Sequence, residues 1–461
     1  MSASDGGGGA HKIANALFHG FRTRGHTSAM AVGKRTTHDP DVYLIPASVP
    51  DSGRFARRVG ARLLRPFARR IEPLQPLRRA LLSPHPVAYL RARRRGREFF
   101  DYPGSRAILG MAGFTPDLVH LHNLHNEYFD LRFLPSLTAR APVALTLHDE
   151  WTYTGHCAYT MGIERWRTGC DSCPDLDVHP RIQRDATHEN WLAKKAIYEQ
   201  SRLYVSAPSR WLLERAEQSI LTGGAVDFRL IPNGVDQKEF RPAERAAARD
   251  LLGLSRDHLI LLFTANAIQR NPFKDYETVA AAVEKVAFAL RDRQLLLIAL
   301  GDEGPARRLG NADLRFVPYE KQPARVAAYY QAADLYLHAA NADTFPTTVL
   351  EALSVGRPVV ATAVGGIHEQ VQSLAGAPGS WSGPAEGPDT ATGVLVAPHD
   401  AAGMAAAATA LLVDDELRTR LGHNAAKDAA ERFGLNGQLD ATLAWYAETI
   451  EDWRRWRDSA A

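Results

Sequence analysis

Cysteine is scarce in this 461-residue chain: there are three, all between Cys157 and Cys173. So small and odd a set excludes a secreted disulfide framework and leaves a reduced compartment or a local metal site. Long apolar runs are missing too, and none approaches the ~20 residues needed to span a bilayer. The opening MSASDGGGGAHKIA has no apolar core, so it does not read as a signal peptide, and a cytoplasmic protein is expected. Neither sign of charge dominates: 55 Lys and Arg stand against 52 Asp and Glu, a net +3 that by itself selects no partner. Acid is missing locally, however. Between Arg54 and Arg97 there is no lysine and a single acid, Glu72, among many arginines.

What the chain does have is alternation. DLVHLHNLH (Asp117 to His125) and APVALTLHDEW (Ala141 to Trp151) read as buried strands ending in polar residues, and Leu203 to Ala207 as another. HLILLFTANA, QLLLIALGDEG, ADLYLHAA and RPVVATAVGG repeat the pattern further on. Short, continuously apolar strands separated by helices predict parallel sheets covered on both faces. The length predicts more than one domain, because single cores stop growing at roughly 250–300 residues. We expect an α/β protein of two doubly wound, Rossmann-like domains facing a central cleft. The first spans residues 1–229 with a basic amphipathic insertion at about 52–100. The second spans 230–440, and a helix over 441–461 is expected to cross back to the first. The glycines at 6–9 arrive within five residues of the start, so the first strand of the first domain is expected to be missing.

The segment NADTFPTTVLEALSVGRPVVATAVGGIHEQV, Asn341 to Val371, is the richest in chemistry. Pro346 suits a first helical turn, and the helix it opens should run to about Val355. The amides of Thr347, Thr348 and Val349 would then lack helical partners and form an anion site. Asp343 before the helix and Glu351 inside it could accept from hydroxyls on different parts of one elongated ligand. The alternative is a capping Asp343 and a solvated Glu351.

This segment resembles the signature of the retaining glycosyltransferases of family 4, which have the GT-B fold. Their E-x7-E usually sits in E-x-F-P-x-T-x-L-E-A, followed by G-x-P-V-V-A and G-G-x-x-E; here the first acid is Asp343. The resemblance gives Asp343 the donor-sugar hydroxyls and Glu351 the nucleotide ribose. In TANAIQRNPFKDYETV it places Lys274 on the donor diphosphate. Phe273 stands where an arginine is usual, and Arg270 is the candidate substitute. TLHDEWTYTGHCAYT with GCDSCPDL looks like a subgroup found in bacterial polysaccharide and colanic-acid-type biosynthesis. There His148 matches a histidine near the reacting centre. DGGGGAHKIANALFHGFRTRGH matches the N-terminal loop, with Gly7 and Gly8 facing the donor phosphates. Cys157, Cys170 and Cys173 read as part of a structural zinc site, with His156 a possible ligand, or as small thiols pinning a loop.

The resemblance implies a hexosyltransferase with no essential cofactor. A UDP- or GDP-sugar would be its substrate, and a hydroxyl of a glycan or lipid-linked molecule its acceptor. Phe55, Val59, Leu63, Phe67 and Ile71 recur every four residues among arginines, an amphipathic pattern. Arg54 to Ile71 is therefore expected either to touch the inner face of the plasma membrane or to cover a core with a solvated basic face. No nucleic-acid-binding fold accompanies this charge. Two other readings fit the same fold: a sugar-nucleotide epimerase, which would convert a donor without acceptor, and a non-catalytic sugar-nucleotide-binding or assembly protein.

Overall fold

The computed structural model describes residues 1–46, 59–64, 74–83 and 85–460. By internal contacts the chain divides into two units. The first comprises Met1–Pro208, Leu212–Ile231 and Ala441–Ala461, and the second Ser209–Trp211 and Pro232–Asp440.

In the first unit, β1 (Ser2–Ser4), β2 (Met30–Lys34) and β3 (Val42–Leu44) form one parallel sheet. A second holds β4 (Val119–His122), β5 (Val143–Thr146), β6 (Leu203–Ala207) and β7 (Ala225–Leu230), also parallel. The His122 amide donates to the Met1 carbonyl at 2.9 Å, so β1 meets β4 edge to edge. The expectation of a missing first strand is therefore corrected. Ser2 pairs with Val32 and Ser4 with Lys34, and all three residues of β1 are buried. Serines carry no hydropathy signal, and backbone pairing rather than apolar side chains makes this strand. The last helix, Leu435–Ala460, packs against this unit through its later turns. Trp445 Nε1 donates to Asp227 at 2.8 Å, Trp453 Nε1 to the Thr138 carbonyl at 2.8 Å, and the Tyr204 hydroxyl to Asp452 at 2.6 Å.

The second unit is one seven-stranded sheet. It contains β8 (Leu259–Thr264), β9 (Leu295–Leu300), β10 (Arg307–Leu309), β11 (Ala312–Val317), β12 (Leu335–His338), β13 (Val359–Thr362) and β14 (Gly393–Val396). Their order is β10-β11-β9-β8-β12-β13-β14, with only β10 antiparallel. Alternate residues of β8 feed separate cores: Ile260 and Leu262 on one face, Leu259, Leu261 and Phe263 on the other. That two-sided burial is why the strand reads as an unbroken apolar run.

Of the basic amphipathic stretch Arg54–Ile71, only residues 59–64 lie within the described residues, and they are helical. Val59 and Leu63 are exposed there, while Phe55, Phe67 and Ile71 lie outside. No helix among the described residues is long and apolar enough to cross a membrane.

Candidate active site

In the second unit the chain leaves β12 at His338, turns through Asn341–Phe345 and enters the helix Thr347–Ser354. Pro346 is the residue before that helix rather than its first turn, with φ −63° and ψ 123°. The loop is held in place by close backbone contact. Gly365 has φ +54°, and a Cβ there would lie 1.8 Å from the Asp343 carbonyl oxygen. A Cβ on Gly366 would lie 2.0 Å from the Thr344 oxygen. Only glycine allows this approach, which explains the Gly-Gly pair so soon after β13.

A second loop delivers the cation. The Asn341 amide donates to the Phe273 carbonyl at 2.9 Å, and Lys274 pairs with Ala340 through its backbone. Phe273, which holds the position where an arginine is usual, thus acts through its carbonyl in fixing the two loops together. Lys274 Nζ makes an ion pair with Asp343 Oδ2, both side chains being largely buried. His338, fully buried, sets its Nε2 3.3 Å from Lys274 Nζ and 3.7 Å from Asp343 Oδ2. Burial alone would raise the Asp343 carboxyl, but chiefly the Lys274 ammonium holds it down at about 2. Burial and then the Lys274 charge hold His338 down at about 4, so the ring is neutral near pH 7.

Glu351 is buried, not solvated as the alternative expected. Its Oε2 accepts from the Tyr330 hydroxyl at 2.8 Å. Thr264 Oγ1, at the end of β8, lies 2.9 Å from both the Tyr330 and the Tyr336 hydroxyls, and Tyr336 reaches His338 Nδ1 at 3.2 Å. The anion site expected at the helix start is smaller than the sequence implied. The Val349 amide donates to the Pro346 carbonyl at 3.3 Å, leaving the Thr347 and Thr348 amides as its donors. Arg270 stands exposed at the end of the turn Ile268–Arg270, where its charge acts on Asp302. It is absent from the contacts of the Lys274–Asp343 pair among the described residues.

In the first unit, His148 follows β5 and is buried. Its Nε2 is 2.9 Å from Nδ1 of His122, the last residue of β4, and burial lowers the His148 ring to about 4. The neighbouring Asp149 is engaged by His125 Nε2 at 2.8 Å. Gly7, with φ +116°, and Gly8 form an exposed loop between β1 and the helix Gly9–Thr23, whose first turn begins on the Gly8 carbonyl. Asp5 before them is buried against the β2 side. Burial opposes its charge, yet four donors from Thr36 and Thr37, at 2.5–2.8 Å, hold it at about 2.

The family described as glycosyl transferases, group 1, matches residues 261–428, the span that holds Lys274, Asp343 and Glu351. The chain is 30% identical over 335 residues to the D-inositol 3-phosphate glycosyltransferase of Streptomyces bingchenggensis, covering 68% of each protein. It belongs to the group 1 glycosyl transferases. It is also 27% identical over 295 residues to the putative colanic acid biosynthesis glycosyl transferase WcaC of Escherichia coli, covering 59% of this chain and 65% of WcaC. The matches span about half to two thirds of the length of the curated relatives. Among solved structures, Anabaena Alr3699/HepE in complex with UDP superposes with a TM-score of 0.61 at 15% identity, covering 97% of this chain and 98% of that one. The fold is GT-B, and group 1 glycosyl transferases move a sugar from a donor.

The cysteines of this group 1 glycosyl transferase line one small cavity with His156. Cys170 Sγ accepts from the Gly155 amide at 3.2 Å, and the Cys173 thiol donates to the Asp175 carbonyl at 3.3 Å. Burial raises Cys157 to about 12 and Cys170 to about 11, so both stay protonated thiols. Among the described residues no group of three His, Cys, Asp or Glu side chains is disposed to hold a metal ion. The contacts present are those of thiols in a loop, with Cys173 Sγ also 3.7 Å from His156 Nε2.

The sequence reading missed several neighbours. Lys194, fully buried, pairs with Glu98 at 3.0 Å and donates to the Trp151 and Thr154 carbonyls, anchoring the loop after His148. His122 and His338 both occupy the carboxyl ends of apolar strands. A polar residue in that position is the signal that could have found them.

Proposed function

We propose that the chain is a retaining glycosyltransferase of the family 4 type. It moves a hexose-type sugar from a UDP- or GDP-sugar to a hydroxyl of a glycan or lipid-linked acceptor, in cell-surface polysaccharide or glycoconjugate synthesis. The observation that carries this reading is the Lys274–Asp343 ion pair joined, through buried hydroxyls, to Glu351. An ammonium suits the diphosphate whose negative charge grows as the sugar leaves. Asp343 suits sugar hydroxyls, Glu351 suits the ribose, and the Thr347 and Thr348 amides suit a phosphate oxygen. His148, neutral and able both to donate and to accept, suits a hydroxyl near the reacting carbon. The departing phosphate would take the acceptor's proton on the same face, which retains configuration without a protein nucleophile. The D-inositol 3-phosphate and colanic acid relatives support acceptors of the sugar or glycan class, and the UDP bound in HepE supports a uridine donor. The enzyme would work in the cytoplasm, held to the inner membrane face by Arg54 to Ile71.

A panel of UDP-, GDP- and ADP-sugars, assayed for nucleotide release with and without lipid extract, tests this. Acceptor-dependent release from a UDP- or GDP-sugar is expected. Release from none of them, with or without lipid, would sink the proposal.

A further inference from the structure

Between Asp343 and Glu351 lie four buried side chains to which the sequence motifs assign no role: His338 and Tyr336 of β12, Thr264 of β8, and Tyr330 of the helix Pro323–Ala332. We propose that Lys274, His338, Tyr336, Thr264, Tyr330 and Glu351 form one hydrogen-bonded chain of fixed direction that couples the two ends of the donor site, with His338 the positioning residue that holds Lys274. This rests on the reading that Lys274 and Glu351 serve two parts of one nucleotide sugar.

The direction follows from what each group can do. A carboxylate only accepts and an ammonium only donates. The Tyr330 hydroxyl, 2.8 Å from Glu351 Oε2, must therefore give its proton to Glu351. Its oxygen then accepts from Thr264 at 2.9 Å, and Thr264 in turn accepts from Tyr336 at 2.9 Å. The Tyr336 oxygen is left to accept from His338 Nδ1 at 3.2 Å. His338 thus carries its proton on Nδ1 and turns a bare Nε2 to Lys274 Nζ at 3.3 Å. Starting instead from Lys274, whose ammonium needs an acceptor, gives the same placement. The ring proton has one competing destination, Asp343 Oδ2 at 3.7 Å from Nε2. Placing it there would turn an N–H toward the nearer Lys274 ammonium, and the Nδ1 placement leaves no such donor-to-donor contact.

Such a chain is cooperative, because each donor polarises the next. Occupation of Glu351 by ribose hydroxyls and of Lys274 by a diphosphate are then linked events. The chain also gives the shorter Asp343 a fixed partner, since His338 holds Lys274 from beside the ion pair, its Nε2 3.7 Å from Asp343 Oδ2.

Two measurements test this on the full chain. The first is the ¹⁵N spectrum of protein labelled at histidine, near neutral pH. The His338 resonances are identified by their loss in His338→Asn or His338→Gln. A neutral ring protonated at Nδ1 is expected; a ring protonated at Nε2, or an imidazolium, overturns the chain. The second is calorimetric binding of UDP and GDP to the wild type, Tyr330→Phe, His338→Asn and the double variant. Each single change should weaken the better nucleotide by roughly three- to tenfold. The double variant should fall short of the product of the two losses by at least about threefold. A smaller shortfall overturns the coupling. His338→Gln, whose amide oxygen can accept from Lys274, should recover part of the loss seen with Asn; equal losses overturn the positioning role. If the wild type binds neither nucleotide, the donor reading fails, and the proton placement is still decided by the spectrum.

Discussion

The two units bring polar groups to the carboxyl ends of parallel strands, and they do it in opposite electrical styles. In the first, His122 and His148 meet ring to ring at 2.9 Å, both neutral, while the nearby carboxylate of Asp149 is committed to His125. In the second, an ammonium and a carboxylate meet in a largely buried pair, and a neutral relay runs back from them to a second carboxylate. A neutral imidazole pair is suited to a hydroxyl, which must both give and accept. A charged pair is suited to a ligand that brings its own charge and replaces one partner without leaving the other bare. One fold type used twice therefore carries two polar clusters of different charge.

The sharpest way to break this contrast is to discharge the second unit. Lys274→Met leaves Asp343 buried without its cation, a loss of about 3 kcal/mol for a pair of this burial. Chemical unfolding at neutral pH checks it, and a change below about 1 kcal/mol would mean that the pair is solvated in solution. Next comes Glu351→Ala, which removes the acceptor for Tyr330 and, on the proposed function, for the ribose. UDP or GDP binding should weaken by roughly thirty- to a hundredfold while the circular dichroism spectrum is kept. Unchanged affinity would refute the ribose role. Gly365→Ala is a backbone test of the same loop. Its positive φ costs a side chain about 1–2 kcal/mol, and the new Cβ would sit 1.8 Å from the Asp343 oxygen. The thermal midpoint should fall, and donor KM should rise because Asp343 is displaced. A variant with wild-type KM would show that the loop tolerates the shift.

The second unit was far more legible than the first, for physical reasons. LILLFT, LLLIAL and VVAT are strands buried on both faces, so their composition declares them. Ser2–Ser4 is equally a strand, but small polar residues placed between two neighbours leave no such trace. Asp343, Glu351 and Lys274 could be singled out because the family motifs they match are short and continuous in sequence. His338, Tyr336, Thr264 and Tyr330 were not, because they come from three elements and meet only when β8, β12 and one helix pack together. Taken singly, each looks like an ordinary core residue. The Val349 amide shows the opposite error: a one-turn bond to Pro346, invisible in sequence, removes a donor that helix geometry alone would leave open.

The substitution with the smallest effect at neutral pH sharpens the comparison most. Burial lowers the His148 ring from an ordinary 6.5 to about 4 in the fold. Between those values the unfolded chain takes up a proton that the folded chain refuses. His148 therefore adds nothing to pH sensitivity above about 6.5, draws stability down as pH falls from 6.5 towards 4, and has no further effect below that. The full loss is up to roughly 3 kcal/mol. His148→Gln keeps a neutral group that can bond His122 and has no proton to gain. At neutral pH it should change stability by less than about 1 kcal/mol, and between pH 6.5 and 4 the stability curve of the variant should be flatter than that of the wild type. Urea midpoints measured across that range decide the matter. A cost at pH 7 matching that of Lys274→Met, or an unchanged acid slope, would show that the first unit depends on charge as the second does.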